Sequence, residues 1–229
     1  MFDGITRRYD FLNRLLSFGR DLFWRRALAR RIVTRNYPGR FLDLATGSGD
    51  QLLAIKSLWP YANLVGLDFS DNMLSLAEKK IAKFYPDQDS EIELVLGDAY
   101  CPPFPPSSFD SVTISFGLRN LPDRPRIYEK VLELLKPGGR FLILELFFDP
   151  RGFWAPLHRF HLETITPLLA FLLFQEEEKA YRYLTKSILN FPHPMVILSE
   201  LEEAGFRGNE YLTYTFGSTM LLWGQKPLE

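Results

Sequence analysis

An acidic residue and two glycines early in the chain have the types and spacing of a cofactor-binding turn. Asp43 is followed by Gly47 and Gly49, and glycine lets the backbone of a tight turn approach a ligand closely. Asp68 comes about 20 residues later, where a carboxylate offers two acceptor oxygens to the two neighbouring hydroxyls of a ribose. Each residue alone also fits a plain turn or a helix cap, so it is their order that favours a nucleotide-like cofactor.

Further polar residues follow hydrophobic runs at two more points. Asp98 and Ala99 come after a third run, and Ser115 ends a fourth. If these runs are parallel strands, the polar residues meet at one edge of the sheet, where open α/β sheets bind ligands. Position 52 is Leu52 and not the third glycine of the dinucleotide fingerprint, which argues against a diphosphate cofactor.

The sequence around these residues alternates between short apolar runs, which predict strands, and segments with helical periodicity, which predict helices. Strands are predicted at residues 40–45, 63–68, 91–96, 111–115 and 141–146. Helices are predicted at residues 50–58, 72–84 and 124–135, the last ending at Lys136-Pro137-Gly138-Gly139. Strict alternation implies parallel strands with helices on both faces. Two late strands, at 210–215 and 219–226, are expected to add an antiparallel hairpin and complete a mostly parallel seven-stranded sheet in an α/β fold.

The composition fits a single domain that spans residues 1–229. Hydrophobic residues make up 46% of the chain and charged residues 24%, which is enough for a buried core. The net charge of -1 creates no field that would attract nucleic acid. Cys101 is the only cysteine, so a disulfide within the chain is excluded and a reducing compartment such as the cytoplasm is expected. No apolar run reaches the roughly 20 residues of a membrane span.

Five segments carry a resemblance that covers the chain from Met1 to Lys226. They are MFDGITRRYDFLNRLLSFG (1–19), DLATGSGD (43–50), FDSVTISFGLRNLPDR (109–124), LKPGGRFLILE (135–145) and AYRYLTKSILNFP (180–192). Together they resemble the ubiquinone/menaquinone biosynthesis C-methyltransferases, which belong to the Rossmann-like class I methyltransferases dependent on S-adenosylmethionine. The glycine loop occurs in many methyltransferases, whereas the SFGLRN and AYRYL runs together are specific.

The resemblance implies that S-adenosylmethionine binds at the predicted sheet edge and leaves as S-adenosylhomocysteine. It implies that the glycine loop and its acid hold the methionine end of the cofactor, and that Ser48 replaces the more usual threonine. The implied contact residues are Asp43, Gly47, Ser48, Gly49, Asp68, Asp98, Ala99 and Ser115. The implied reaction is methyl transfer to a ring carbon of demethylmenaquinol or a related polyprenyl benzoquinol. Residues 147–150 (FFDP) depart from the Ser-Lys-Pro ending of the family, so the resemblance does not decide the head group of the quinol substrate.

The chemistry of such a transfer points to the loop after Ser115. A neutral ring carbon is a poor nucleophile, so the site needs a proton acceptor or a donor that stabilises a phenolate. Arginine is always charged, and we therefore assign phenolate stabilisation or orientation of a water to Arg119, and a hydrogen bond to a ring oxygen to Asn120. In the alternative interpretation Arg119 pairs with Asp110 or Asp123, and Asn120 only shapes a turn.

Two other segments are expected to approach the ring. Tyr9, Asp10 and Asn13 lie in the N-terminal segment, which is predicted to close over the substrate, and Asp10 is the candidate base, although it also fits a helix cap. Residues 181–183 (YRY) match the late motif of the family and fit either the ring entrance or plain helix packing.

Helical segments flank the predicted sheet. Residues 1–37 are predicted to form a helical lid, and residues 151–192 a helical insertion near the substrate. The hydrophobic stretch from Phe153 to Phe174 fits core, a homodimer face, or an interfacial surface resting on the inner face of a membrane. His158 and His161 lie on one helix face without an acidic or cysteine partner at ligand spacing, so no metal site is predicted.

Three other functions share parts of these patterns. A methyltransferase acting on an amine, a phenolic oxygen or a sterol-like lipid would keep the glycine loop without needing SFGLRN and AYRYL. A nucleotide-binding oxidoreductase is disfavoured by Leu52, and a catalytically idle partner that only binds the cofactor would not need Arg119 and Asn120.

Overall fold

A computed structural model describes residues 14, 17–34, 38–86, 92–168 and 178–229 of the chain. These residues form one seven-stranded sheet in the order β3-β2-β1-β4-β5-β7-β6. Its strands are β1 (Arg40–Leu44), β2 (Asn63–Asp68), β3 (Ile92–Leu96), β4 (Phe109–Ser115), β5 (Leu135–Leu146), β6 (Arg207–Tyr214) and β7 (Thr219–Gln225). Strands β1 to β5 pair in parallel, whereas β7 runs antiparallel to both β5 and β6. The predicted sheet and its late hairpin are confirmed.

Helices cover both faces of this sheet. They are α1 (Arg20–Ala29), α2 (Asp50–Lys56), α3 (Asp71–Phe84), α4 (Arg124–Leu134), α5 (Ala155–Phe160), α6 (Glu178–Leu189) and α7 (Pro194–Glu203). Helix α5 continues into one π-helical turn at His161–Ile165. Ser70 caps α3 as predicted, because its hydroxyl accepts a hydrogen bond from the backbone N–H of Met73. None of the described helices is long and apolar enough to cross a membrane.

Alternate residues of the central strands point into two separate cores. On β5, Phe141 and Ile143 pack in the cluster that includes α4 and α7, whereas Leu142 and Leu144 pack in the cluster with α1 and α2. All four side chains are fully buried. Because the strand is covered on both sides, its sequence is continuously apolar and not alternating, as expected for a sheet between two helical layers.

The end of α4 differs from the prediction. The helix stops at Leu134, but Lys136 to Gly139 do not form a loop before the next strand, because β5 already begins at Leu135. The ladder between β4 and β5 shifts register there, with Phe109 opposite Leu135 and Ser111 opposite Arg140. Gly138 has φ +76°, and a Cβ on Gly139 would lie 2.8 Å from the backbone oxygen of Asp110. Because these two positions are glycines, the strand can continue through a bulge here, whereas residues with a Cβ would interrupt it.

Candidate cofactor and substrate site

The loop after β1 turns back across the carboxyl edge of the sheet. Ala45, Gly47 and Gly49 have φ of +50°, +56° and +80°. A Cβ on Gly47 would meet no atom within 4 Å, whereas one on Gly49 would lie 3.0 Å from the Cβ of Ala77 in α3. Gly47 therefore presents bare backbone to open space, and Gly49 allows close packing underneath, which are the two uses of glycine expected in a cofactor turn.

Asp68 lies beside this loop at the end of β2 and is only 5% exposed. Its Oδ2 accepts a hydrogen bond from the backbone N–H of Gly47 at 2.8 Å, and its Oδ1 accepts one from that of Ser70 at 3.0 Å. Burial raises the pKa of Asp68, although these backbone donors lower it. Each oxygen keeps a second lone pair, so the fixed carboxylate can still accept hydrogen bonds from two ribose hydroxyls. An open glycine turn beside such an acceptor fits S-adenosylmethionine.

Asp43 lies behind the loop at 1% exposure. Its carboxylate accepts hydrogen bonds from the hydroxyls of Thr46 at 2.7 Å and Thr113 at 2.6 Å. Burial raises its pKa to about 6, against the opposing effect of the two threonines. These contacts hold the loop from within the protein, and direct contact between Asp43 and a cofactor stays a prediction.

We expect the Asp43→Asn variant to gain stability over the unsubstituted protein as the pH rises from about 4 to 6.5. In the folded state the carboxyl group of Asp43 has a pKa of about 6, whereas the ordinary pKa, expected in the unfolded chain, is 3.8. The folded state therefore holds more protons in this window, and its stability falls as the pH rises through it. The free energy of unfolding of the variant, relative to the parent, should rise by about 2 kcal/mol across the window. Urea unfolding at several pH values measures it; a constant difference would contradict the shift.

A network of charges surrounds the far side of the glycine loop. The hydroxyl of Ser48 accepts a hydrogen bond from Nζ of Lys80 at 3.0 Å, and the same Nζ lies 2.6 Å from Oδ1 of Asp50. Arg14 donates to Oδ2 of Asp50 at 2.9 Å. Burial alone would raise the pKa of Asp50, but Arg25, Lys80 and Arg14 together lower it. The loop is thus tied both to α3 and to the N-terminal segment.

The remaining predicted cofactor residues lie at the same edge. The backbone N–H of Gly97 donates to the carbonyl of Asp68 at 2.9 Å, which brings Asp98 and Ala99 next to the end of β2. Asp98 is exposed and accepts a hydrogen bond from the backbone N–H of Tyr100, whereas Ala99 is buried. Ser115 ends β4, and its hydroxyl donates to the amide oxygen of Gln51 in α2 at 3.0 Å. The structure therefore places the predicted set after the carboxyl ends of β1 to β4, at one edge of the sheet.

Arg119 belongs to a short 3-10 helix (Leu118–Asn120) directly beside the glycine loop. A Cβ on Gly117 would lie 2.9 Å from the Cβ of Ala45, so the two loops touch. Nη1 of Arg119 donates to Oε1 of Glu145 at 2.5 Å and to the carbonyl of Phe116 at 2.7 Å. The side chains of Arg119 and Glu145 are 8% and 0% exposed, so this is a buried ion pair at the ends of β4 and β5.

The partners suggested as alternatives for Arg119 are engaged elsewhere. Asp110 accepts hydrogen bonds from the ammonium of Lys136 at 2.8 Å and from the backbone N–H of Arg40. Asp123 caps α4 through the backbone N–H of Arg126. Pairing of Arg119 with either acid is therefore wrong.

Asn120 connects the two sequence runs that carry the specific resemblance. Its amide oxygen accepts a hydrogen bond from the hydroxyl of Tyr183 in α6 at 3.0 Å. Arg182 is exposed, and the side chain of Tyr181 lies outside the described residues. Tyr9, Asp10 and Asn13 also lie outside them, so their roles stay predictions.

Within the described part of the chain, no three histidine, cysteine or acidic side chains group as metal ligands would. Burial lowers the pKa of both His158 and His161, which keeps them neutral at physiological pH.

Sequence reasoning missed several residues that hold the site. They are the fully buried Glu145, Lys80 beside Ser48, Gln51 beside Ser115, and Thr113 beside Asp43. Only Glu145 leaves a recognisable signal, because it is the one charged residue in the otherwise apolar run FLILEL, and an isolated buried charge needs a partner.

Comparison with known sequences points to one family. The sequence profile of the ubiE/COQ5 methyltransferase family matches residues 1–226. A demethylmenaquinone methyltransferase of Thermus thermophilus is 39% identical over 227 residues, which are 99% of this chain and 100% of that protein. A ubiquinone/menaquinone biosynthesis C-methyltransferase UbiE of Geobacter sulfurreducens is 39% identical over 231 residues, which cover 100% of this chain and 88% of that protein.

The fold is also shared with solved structures. Phosphoethanolamine N-methyltransferase 2 of Haemonchus contortus, in complex with S-adenosyl-L-methionine, superposes with a TM-score of 0.68 at 18% identity. The match covers 95% of this chain and spans 56% of the length of that protein. At this identity the likeness concerns the fold alone, which is the predicted Rossmann-like class I architecture.

Proposed function

The chain belongs to the ubiE/COQ5 methyltransferase family, and on that premise we propose that it methylates a ring carbon of a prenylated quinol. The acceptor we propose is demethylmenaquinol, with menaquinol as the product. S-adenosylmethionine, the methyl donor, carries an electrophilic methyl group on a sulfonium. The observation that supports a quinol most directly is the buried Arg119–Glu145 pair, held by a loop that touches the glycine turn.

The residues at this edge of the sheet can supply what a ring carbon needs. Positioning the acceptor in line with the methyl group accounts for a large part of such a rate. The remaining requirement is to increase electron density on the ring by stabilising a phenolate at the neighbouring hydroxyl. Arg119 can do this, because its Nε is buried and has no hydrogen-bond partner among the described residues. A ring oxygen that accepts from this N–H would satisfy an otherwise costly buried donor.

Asn120 is placed to hold the second ring oxygen. Its amide oxygen is oriented by Tyr183, which leaves the amide NH₂ as a donor for the substrate. In the same proposal Tyr9 and Asp10 close over the ring, and Asp10 accepts the proton of the hydroxyl.

The prenyl tail decides where such an enzyme must work. A polyprenyl acceptor partitions into a bilayer, so we place the protein in the cytoplasm, in peripheral contact with the inner face of the membrane.

A methyl-transfer assay tests the proposed function. Purified protein is incubated with S-adenosylmethionine labelled on the methyl group, beside reduced short-tail demethylmenaquinol or the matching methoxy-benzoquinol. Label on a ring carbon of demethylmenaquinol is expected. Label on the benzoquinol alone would assign the benzoquinol, and not demethylmenaquinol, as the acceptor. Label on a ring oxygen would contradict C-methylation. Cofactor binding by calorimetry without transfer to either quinol would point to another acceptor or to an idle partner.

A further inference from the structure

An exposed group of aromatic side chains joins three separate parts of the chain. We call it the aromatic patch, and it consists of Phe18, Phe23, Phe153, Trp154, Phe160 and Phe216. Phe153 is 88% exposed, Phe18 74% and Phe216 63%, although a large apolar ring gains free energy when it leaves water. Contiguous exposed apolar surface of this kind usually marks a site of interaction.

Ring contacts join members of the patch in separate groups. The ring centroids of Trp154 and Phe216 are 4.8 Å apart, and those of Phe153 and Trp154 are 5.1 Å apart. At the other end, Phe18 lies 5.9 Å from His161, which follows directly on Phe160. The ring centroid of Phe23 in α1 lies 5.6 Å from that of Tyr214, the last residue of β6, so α1, the start of α5 and the turn between β6 and β7 lie next to one another.

The topology places this surface at the edge of the sheet that carries the site. Thr219, the first residue of β7, pairs with Leu146, the last residue of β5, and Glu145 precedes it. The turn before β7 must therefore lie at the end of β5, on the side of the Arg119–Glu145 pair. In that turn Thr215 and Phe216 have φ of +51° and +57°, which is a strained conformation for side chains with a Cβ. The Phe216 ring in this turn is exposed.

Positive charge borders the aromatic patch. Arg26 in α1 and Arg30, the first residue after that helix, follow Phe23 by three and seven positions, so they share its face, and both are exposed. The single acid of α1, Asp21, is 2% exposed and does not offset them. Arg151 and Arg159 add two exposed cations beside Phe153 and Phe160, with Glu163 lying 3.8 Å from Arg159 as a weak counter-charge. The charge is local, because the chain as a whole carries -1.

We propose that the aromatic patch docks onto a bilayer that contains anionic phospholipid. The rings enter at the level of the headgroups, where aromatic side chains are enriched, and the arginines meet the phosphates. This proposal rests on the proposed function, because the bilayer would be the source of the prenylated acceptor. It explains why the rings are exposed at the site edge and why cations border them.

Vesicle sedimentation of the full chain tests the docking surface. We expect binding to vesicles of phosphatidylcholine with phosphatidylglycerol, weaker binding to phosphatidylcholine alone, and a loss of binding at high salt. The Phe153→Ser/Phe216→Ser variant should bind about tenfold more weakly or worse. Phe84→Ser is the matched control, because Phe84 lies in α3 with its ring 61% exposed and should bind like the parent.

Two further readouts separate the possible failures. Trp154 fluorescence should shift to shorter wavelength with vesicles in the parent but not in a Trp154→Phe variant. Turnover of a water-soluble short-tail quinol without vesicles should be equal in the parent and the Phe153→Ser/Phe216→Ser variant. Equal vesicle binding by parent and double variant would overturn the docking surface and leave the proposed function standing. A dimer in sedimentation velocity that the double variant disrupts, without vesicle binding, would assign the patch to a second copy and also overturn it.

Discussion

Asp68→Ala is expected to weaken the binding of S-adenosylmethionine by about 100-fold or more. A hydrogen bond to a charged acceptor contributes about 1.5–3 kcal/mol, and a carboxylate beside the glycine turn would make two of them to vicinal hydroxyls. The substitution also removes the acceptor that fixes the N–H of Gly47, so the loop loses its anchor at the same time. Calorimetric titration of the cofactor into the purified variant measures the loss.

Two controls separate binding from folding in this experiment. Asp68→Asn retains one oxygen that can accept from the backbone, and we expect it to bind more tightly than Asp68→Ala but less tightly than the parent. Glu129→Ala removes an exposed carboxylate on α4 and should bind normally. Normal affinity in Asp68→Ala, with cooperative unfolding preserved, would remove Asp68 from the cofactor site.

Arg119→Ala should leave cofactor affinity nearly unchanged and lower kcat by about 100- to 1000-fold, the cost of losing one donor to developing negative charge. The same substitution strands Glu145, which is 0% exposed and would keep a buried charge without its cation. Breaking a buried ion pair in this way typically destabilises a protein by about 3–5 kcal/mol. Low turnover in this variant therefore has two possible causes, which must be measured apart.

The double variant Arg119→Met/Glu145→Leu separates them. It replaces the ion pair by apolar side chains of similar size, a change that is often neutral or stabilising. We expect urea unfolding to return towards the parent value while kcat stays as low as in Arg119→Ala. Recovery of turnover together with stability would show that Arg119 serves the fold and not the reaction.

The placement of the candidate cofactor residues could be predicted because its determinants are local. Gly47 and Gly49 lie in one turn, and Asp68, Asp98 and Ser115 each end a strand or follow one, so chain order alone places them at one edge. The same reasoning gave the sheet with its late hairpin. It failed at Lys136 to Gly139, because a glycine pair that usually ends a helix and opens a loop here opens a bulged strand.

The contacts that orient the site could not be predicted, because they join residues far apart in the chain. Glu145 meets Arg119 across 26 residues, and Tyr183 meets Asn120 across 63. No periodicity encodes such pairings, which arise only when neighbouring strands and the helix α6 are packed. Lys80 could not be predicted for the same reason. In the sequence it is one of several charged residues of α3, and only the packing of that helix beside the glycine loop brings its ammonium group to Ser48.

The position of β7 between β5 and β6 has a consequence for the order of folding. Strands β1 to β5 can pair as they follow one another, but β6 joins the sheet only through β7, which comes later in the chain and pairs with β5. Until then the apolar run FLILEL is an open sheet edge, the kind of surface on which chains aggregate. Glu145 belongs to that run, so the buried partner of Arg119 is enclosed only when the distant strand β7 pairs with β5. A newly made chain can therefore form its glycine loop before it can bury the Arg119–Glu145 pair.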